Sequence, residues 1–142
     1  MARRPVVVDA SVAVKWFSAV GEPHVPQAVD IMTRHVRGEL NLAAPDLLYY
    51  EVANALVRKT ALSDAKVRLS LRDLFALGLE TVATSADLMA VSIKLARRLN
   101  ITIYDACYAA LAQQQGCPLV TANPRHQSGA LGCEVIPLDK WR

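Results

Sequence analysis

Three times in this chain a short run of β-branched and aliphatic residues stops at an acid or an amide. Val6-Val7-Val8 leads to Asp9, Ile101-Thr102-Ile103 and Tyr104 lead to Asp105, and Leu119-Val120-Thr121 and Ala122 lead to Asn123. Unbroken runs of this kind read as strands buried on both faces, as in a parallel sheet. Between them the apolar residues recur at helical spacing. Leu48, Val52 and Leu56 form one stripe, and Leu88, Val91, Leu95 and Leu99 form another. Strands alternating with helices predict an α/β fold with a parallel sheet covered on both faces.

Taken in order, the pattern predicts strands over 4–9, 40–44, 79–82, 101–103, 118–121 and 134–136. Ser11 reads as the cap of a helix over 12–17, and Ser63 and Ser85 as caps of later helices. Gly21, Pro23 and Pro26 read as a break before a helix over 27–37. Asp46 opens the helix that carries the first stripe, a helix runs from Asp105 to Gln115, and Pro124 starts a last short one. No repeat or linker divides the 142 residues, a length that suits one domain with a single core.

Composition narrows the class. With 53% apolar residues the chain is not a disordered one. A net charge of +3 permits nucleic-acid binding without arguing for it. Cys107, Cys117 and Cys133 are odd in number and lack CxxC spacing, which suits free thiols in a reducing cytoplasm. Arg3 and Arg4 before an apolar run mimic a signal peptide, but Asp9 and Lys15 interrupt that run. No stretch approaches the roughly 18–20 apolar residues that cross a bilayer. The expectation is a soluble cytoplasmic protein.

Ligands of open parallel sheets bind at the carboxyl ends of the strands. Asp9, Asp105 and Asn123 follow strands and so share that edge, and Glu51 lies in the second turn of its helix. Carboxylates gathered in one place repel one another and call for a cation or raised pKa values. An all-oxygen set without histidine or cysteine favours Mg²⁺ or Mn²⁺ over Zn²⁺. Each residue also has a plainer reading. Asp9 and Asp105 precede helices as caps would, and Glu51 suits an early helical turn. Asn123 before Pro124 is a natural N-cap with proline at the first helical position. From the residues alone both readings stand. His24, His35 and His126 have no matching nucleophile, so no Ser/His/Asp or Cys/His constellation competes.

Four segments, in order, resemble the PIN-domain ribonucleases of the VapC toxin type. They are Val7-Val8-Asp9-Ala10-Ser11-Val12, Glu51-Val52-Ala53-Asn54-Ala55-Leu56, Tyr104-Asp105-Ala106-Cys107-Tyr108-Ala109-Ala110-Leu111-Ala112 and Leu119-Val120-Thr121-Ala122-Asn123. The resemblance spans nearly the whole chain and implies a single PIN domain over 1–142, with a Rossmann-like central parallel sheet flanked by helices. It implies Mg²⁺- or Mn²⁺-dependent hydrolysis of RNA that leaves a 5′-phosphate and a 3′-hydroxyl. Asp9, Glu51, Asp105 and Asn123 are then the catalytic positions, with Asp9 and Asp105 holding the metal. The fourth position is usually Asp, so Asn123 removes one charge from the set. The resemblance further implies a homodimer and a small VapB-like antitoxin, with RNA as substrate and no membrane.

Ser11 and Thr121 are placed like hydroxyls that line such a site, and Lys15, Arg125 and His126 are candidates for phosphate contacts. Trp16, Phe17, Tyr49 and Tyr50 mark either partner surfaces or core. A PIN-like scaffold that binds without cleaving is the alternative, motivated by Asn123. A phospho-acceptor built on Asp9 is weaker, because Asp9-Ala10-Ser11 lacks the second acid of a D-x-D pair and no Gly-rich phosphate loop is present.

Overall fold

Val6, Val7 and Val8 are completely buried, in the central strand of a five-stranded sheet. A computed structural model describes residues 3–59, 61–123 and 131–142. Strand β1 (Arg4–Val8) pairs in parallel with β2 (Leu40–Pro45) on one side, Val6 opposite Leu42. On its other side it pairs with β4 (Leu119–Thr121), Val8 opposite Val120. Strands β3 (Glu80–Val82) and β5 (Val135–Pro137) close the edges in the order β3-β2-β1-β4-β5, all parallel. The order reverses between β1 and β4, so the crevice that open α/β sheets use for ligands lies beyond the carboxyl ends of these two strands.

Six α-helices flank the sheet among the described residues. They are α1 (Ala10–Ala13), α2 (Val25–Val36), α3 (Leu47–Val57), α4 (Asp64–Ala76), α5 (Ala86–Leu99) and α6 (Ile103–Gln115). Helix α6 is the central one. Its residues Ala106 to Ala112 are all buried, and it packs on β1, β2 and β4. None of the described helices is long and apolar enough to cross a membrane. The three cysteines are free thiols. His35 ties three elements together from the interior of α2. Its Nδ1 accepts the Leu42 amide at 3.2 Å, and Nε2 lies 2.8 Å from the Leu77 carbonyl, which fixes the neutral Nε2–H tautomer.

Ser63 and Ser85 cap α4 and α5 as the sequence predicts, accepting the amides of Lys66 and Leu88. Other expectations are corrected. Residues 101–103 form no strand. Asn100 ends α5 in the left-handed region (φ 52°), and the Thr102 hydroxyl accepts the Asp105 amide at 3.1 Å, so α6 begins at Ile103. A helix cap between two mutually packed helices outweighs the β-propensity of three residues that have no neighbouring strand. The cap of α1 is Asp9, not Ser11, and β1 ends one residue earlier, at Val8. Pro26 does not break α2 but lies in its first turn, where a missing N–H costs nothing. Asp46 stands at the start of α3 without a side-chain capping bond. The helix expected at Pro124 lies outside the described residues.

Candidate active site

A cleft of about 150 Å³ opens beyond the carboxyl ends of β1 and β4, lined by Asp9, Ser11, Glu51, Asp105, Tyr108 and Asn123. All four positions singled out in the sequence therefore meet in one place, although they come from four different segments. Asp9 follows β1, Glu51 lies in α3, Asp105 lies in the first turn of α6, and Asn123 follows β4.

Asp9 is held through both of its carboxylate oxygens. It is 3% exposed, and the hydroxyl and amide of Ser11 both donate to its Oδ1, the amide at 3.1 Å. The Thr121 hydroxyl donates to Oδ2 at 2.5 Å. These two hydroxyls also bind the backbone that follows β4, Ser11 from across the switch point and Thr121 from within β4. Ser11 Oγ accepts the Ala122 amide at 2.9 Å, and Thr121 Oγ1 accepts the Asn123 amide at 3.0 Å. A buried carboxylate costs heavily unless hydrogen bonds compensate it, and this network supplies them. Ser11 and Thr121 thus act through Asp9 and the backbone around it.

Glu51 is half-buried, and the Tyr108 hydroxyl donates to its Oε1 at 2.6 Å. Tyr108 is 1% exposed. Burial first, and then the Glu51 charge, push its phenol far above the ordinary tyrosine range, so it remains a donor. Asp105 stands three residues before Tyr108, one turn away on the same helix. Its carboxylate sits at the positive end of the α6 dipole. Tyr108 is the lining residue that the sequence reading missed. The available signal was its spacing from Asp105, which any buried residue of an apolar helix can share.

The cleft has three carboxylates and no basic side chain among the described lining residues. Lys15 is not a phosphate contact in this arrangement. It is 4% exposed and paired with Glu22 at 3.1 Å. Arg125 and His126 lie outside the described residues. Of the four aromatic residues marked as partner surface or core, Tyr50 alone is exposed. Tyr49 stacks on Phe75 with centroids 4.2 Å apart, the Trp16 indole donates to the Ala28 carbonyl, and Phe17 packs against the core.

The donor set is all oxygen, which suits a hard divalent cation. Among the described residues, no three His, Cys, Asp or Glu side chains lie together closely enough to hold one ion. A Mg²⁺-type site does not require three such side chains, because it takes one or two carboxylates and keeps several waters.

The family model for the PIN domain matches residues 6–130. The chain belongs to the PIN-domain family. Members of this family are nucleases. No curated protein matches this PIN domain by sequence comparison. Several solved structures share its fold. A toxin–antitoxin complex from Klebsiella pneumoniae superposes with a TM-score of 0.67 at 20% identity, covering 94% of this chain and 97% of that one. PAE2754 from Pyrobaculum aerophilum gives 0.68 at 22% identity, covering 98% and 92%. VapBC2 from Rickettsia felis, solved bound to a DNA fragment from its promoter, gives 0.69 at 16% identity, covering 94% and 98%. The overall fold is thus shared with proteins that have few residues in common with this chain.

Proposed function

We propose that this PIN domain is a metal-dependent endoribonuclease and the toxin of a toxin–antitoxin pair. The observation that carries the reading is the convergence of Asp9, Glu51 and Asp105 on one cleft at the switch point of the sheet. Asp9 and Asp105 are the residues that would hold Mg²⁺ or Mn²⁺. A divalent ion bound there supplies Lewis-acid polarisation of the phosphate and a water of lowered pKa. The protein's own part is positional. Asp9 is fixed by Ser11 and Thr121, so its carboxylate needs little reorganisation when it binds. Glu51 would contribute to holding that ion, directly or through water. Asn123 offers an amide oxygen and no charge.

RNA as substrate puts the activity in the cytoplasm. A small VapB-like antitoxin accords with the toxin–antitoxin complexes among the structures that share the fold, and the toxin is proposed to be a homodimer. The test is cleavage of a broad RNA panel in Mn²⁺ by the wild type and by Asp9→Asn. Cleavage by the wild type and none by a folded Asp9→Asn is expected. An RNA panel left whole by the wild type would overturn the enzyme and favour a binding scaffold, the reading that Asn123 motivates.

A further inference from the structure

Tyr108 is a buried donor in a cleft of acids, and a core residue of α6 has no packing need for a hydroxyl there. We propose that Tyr108 is the positioning residue of Glu51, holding Oε1 so that the carboxylate works from one orientation. The proposal rests on the nuclease reading of the cleft.

Glu51 faces two difficulties. It has three rotatable bonds on a half-buried helical turn, so ordering it costs side-chain entropy. It also shares its cleft with Asp9 and Asp105, whose charges repel it. Tyr108 answers both. Its ring is immobilised in the core, and its hydroxyl meets Oε1 at 2.6 Å. A lysine or arginine at this position would hold the carboxylate too, but it would cancel the charge that a cation needs. A phenol holds Glu51 through a hydrogen bond without a countercharge and leaves that charge in place. The arrangement also makes one helix responsible for two acids. Helix α6 carries Asp105 directly and sets Glu51 across the cleft through Tyr108, one turn further on.

Tyr108→Phe keeps the ring and removes only the hydroxyl. Side-chain NMR of the metal-free protein should show one Glu51 rotamer in the wild type and rotamer averaging in Tyr108→Phe. Mn²⁺ affinity, titrated without RNA, should weaken by about tenfold, the size of loss expected when a hydrogen bond that orients an acid around a metal, in direct contact or through water, is removed. On RNA, kcat should fall and KM should hold. In a Glu51→Ala background, Tyr108→Phe should add less than about twofold, because it acts through the missing side chain. Glu51→Gln should stay ordered, since its amide oxygen still accepts from Tyr108, and should lose Mn²⁺ affinity.

An ordered Glu51 in Tyr108→Phe, or an equal loss of affinity with and without Glu51, would overturn the proposal. The two readings fail separately. An inactive wild type whose Glu51 still depends on Tyr108 refutes the nuclease and keeps the positioning.

Discussion

The buried hydroxyl of Thr121 gives the most direct test of how the cleft is assembled. Thr121→Val preserves the shape of a side chain with no solvent exposure and removes the donor to Asp9 and the acceptor of the Asn123 amide. A hydrogen bond to a charged group contributes about 1.5–3 kcal/mol, and an orphaned partner costs its desolvation as well. The added methyl group returns about 0.8 kcal/mol of apolar burial. The net expectation is a loss of about 2 kcal/mol, which for a domain of this size lowers Tm by about 6 °C. Urea unfolding followed by tryptophan fluorescence should show the midpoint falling by about 1 M with m unchanged. Thr121→Ser keeps the hydroxyl and serves as the control. It should lose some packing energy and retain the wild-type gain in Tm on adding Mn²⁺, whereas Thr121→Val should lose most of that gain. A Thr121→Val midpoint equal to the wild type, with the Mn²⁺ response intact, would refute the view that this bond holds Asp9.

Three further outcomes are expected. His35→Ala removes the acceptor of the buried Leu42 amide and the donor to the Leu77 carbonyl, and leaves a cavity. It should cost about 3 kcal/mol in urea unfolding, and a loss below about 1 kcal/mol would mean that water replaces the ring. Stability should fall on the alkaline side. Burial raises Cys133 from 9.0 to about 11 and raises Tyr108 above 10.0, so the unfolded chain releases these protons first. The stabilisation is complete below pH 9 and declines as pH climbs toward 11. Cys133→Ser should flatten the first part of a Tm–pH curve and Tyr108→Phe the part above pH 10. Asn123→Asp should tighten Mn²⁺ binding in a titration, and an unchanged affinity would leave Asn123 no role in holding the metal.

Most of the α/β order was legible because its signals are local. Val6-Val7-Val8 is buried on both faces wherever it sits in a parallel sheet, and Ser63 and Ser85 declare their helices by capping. Errors arose where two local signals competed. Ile101-Thr102-Ile103 has the composition of a strand, yet Thr102 is a good cap and no strand edge is offered to it. Pro26 reads as a breaker until the helix is seen to start at Val25. Lys15 shows a further limit. Its place after Asp9 put it near the site, but its charge is spent on Glu22, seven residues on, a partner that the break at Gly21 and Pro23 allows but does not name. The link from Tyr108 to Glu51 spans 57 positions and was not legible at all. Contacts between helices at that separation follow from packing, and packing is settled by the whole core.

Asp9 shows why the choice between helix cap and site residue could not be made from the sequence. In the structure the cap is part of the aiming. Asp9 caps α1 through the Ser11 amide on Oδ1, and the same carboxylate takes the Thr121 hydroxyl on Oδ2. The first bond sets the carboxylate's direction relative to β1, and the second ties it to β4. Ser11 repeats the pattern, since its hydroxyl donates to Asp9 and accepts the Ala122 amide beyond β4. The two strands on either side of the switch point are therefore stitched together through a charged group. An asparagine at position 9 would keep an oxygen for the Ser11 amide, but its NH₂ cannot accept from Thr121. The charge of Asp9 is thus bound up with the joint between β1 and β4. A folded Asp9→Asn should accordingly melt below the wild type in the absence of metal. Equal melting would mean that the joint is held by the backbone pairing of β1 and β4 alone.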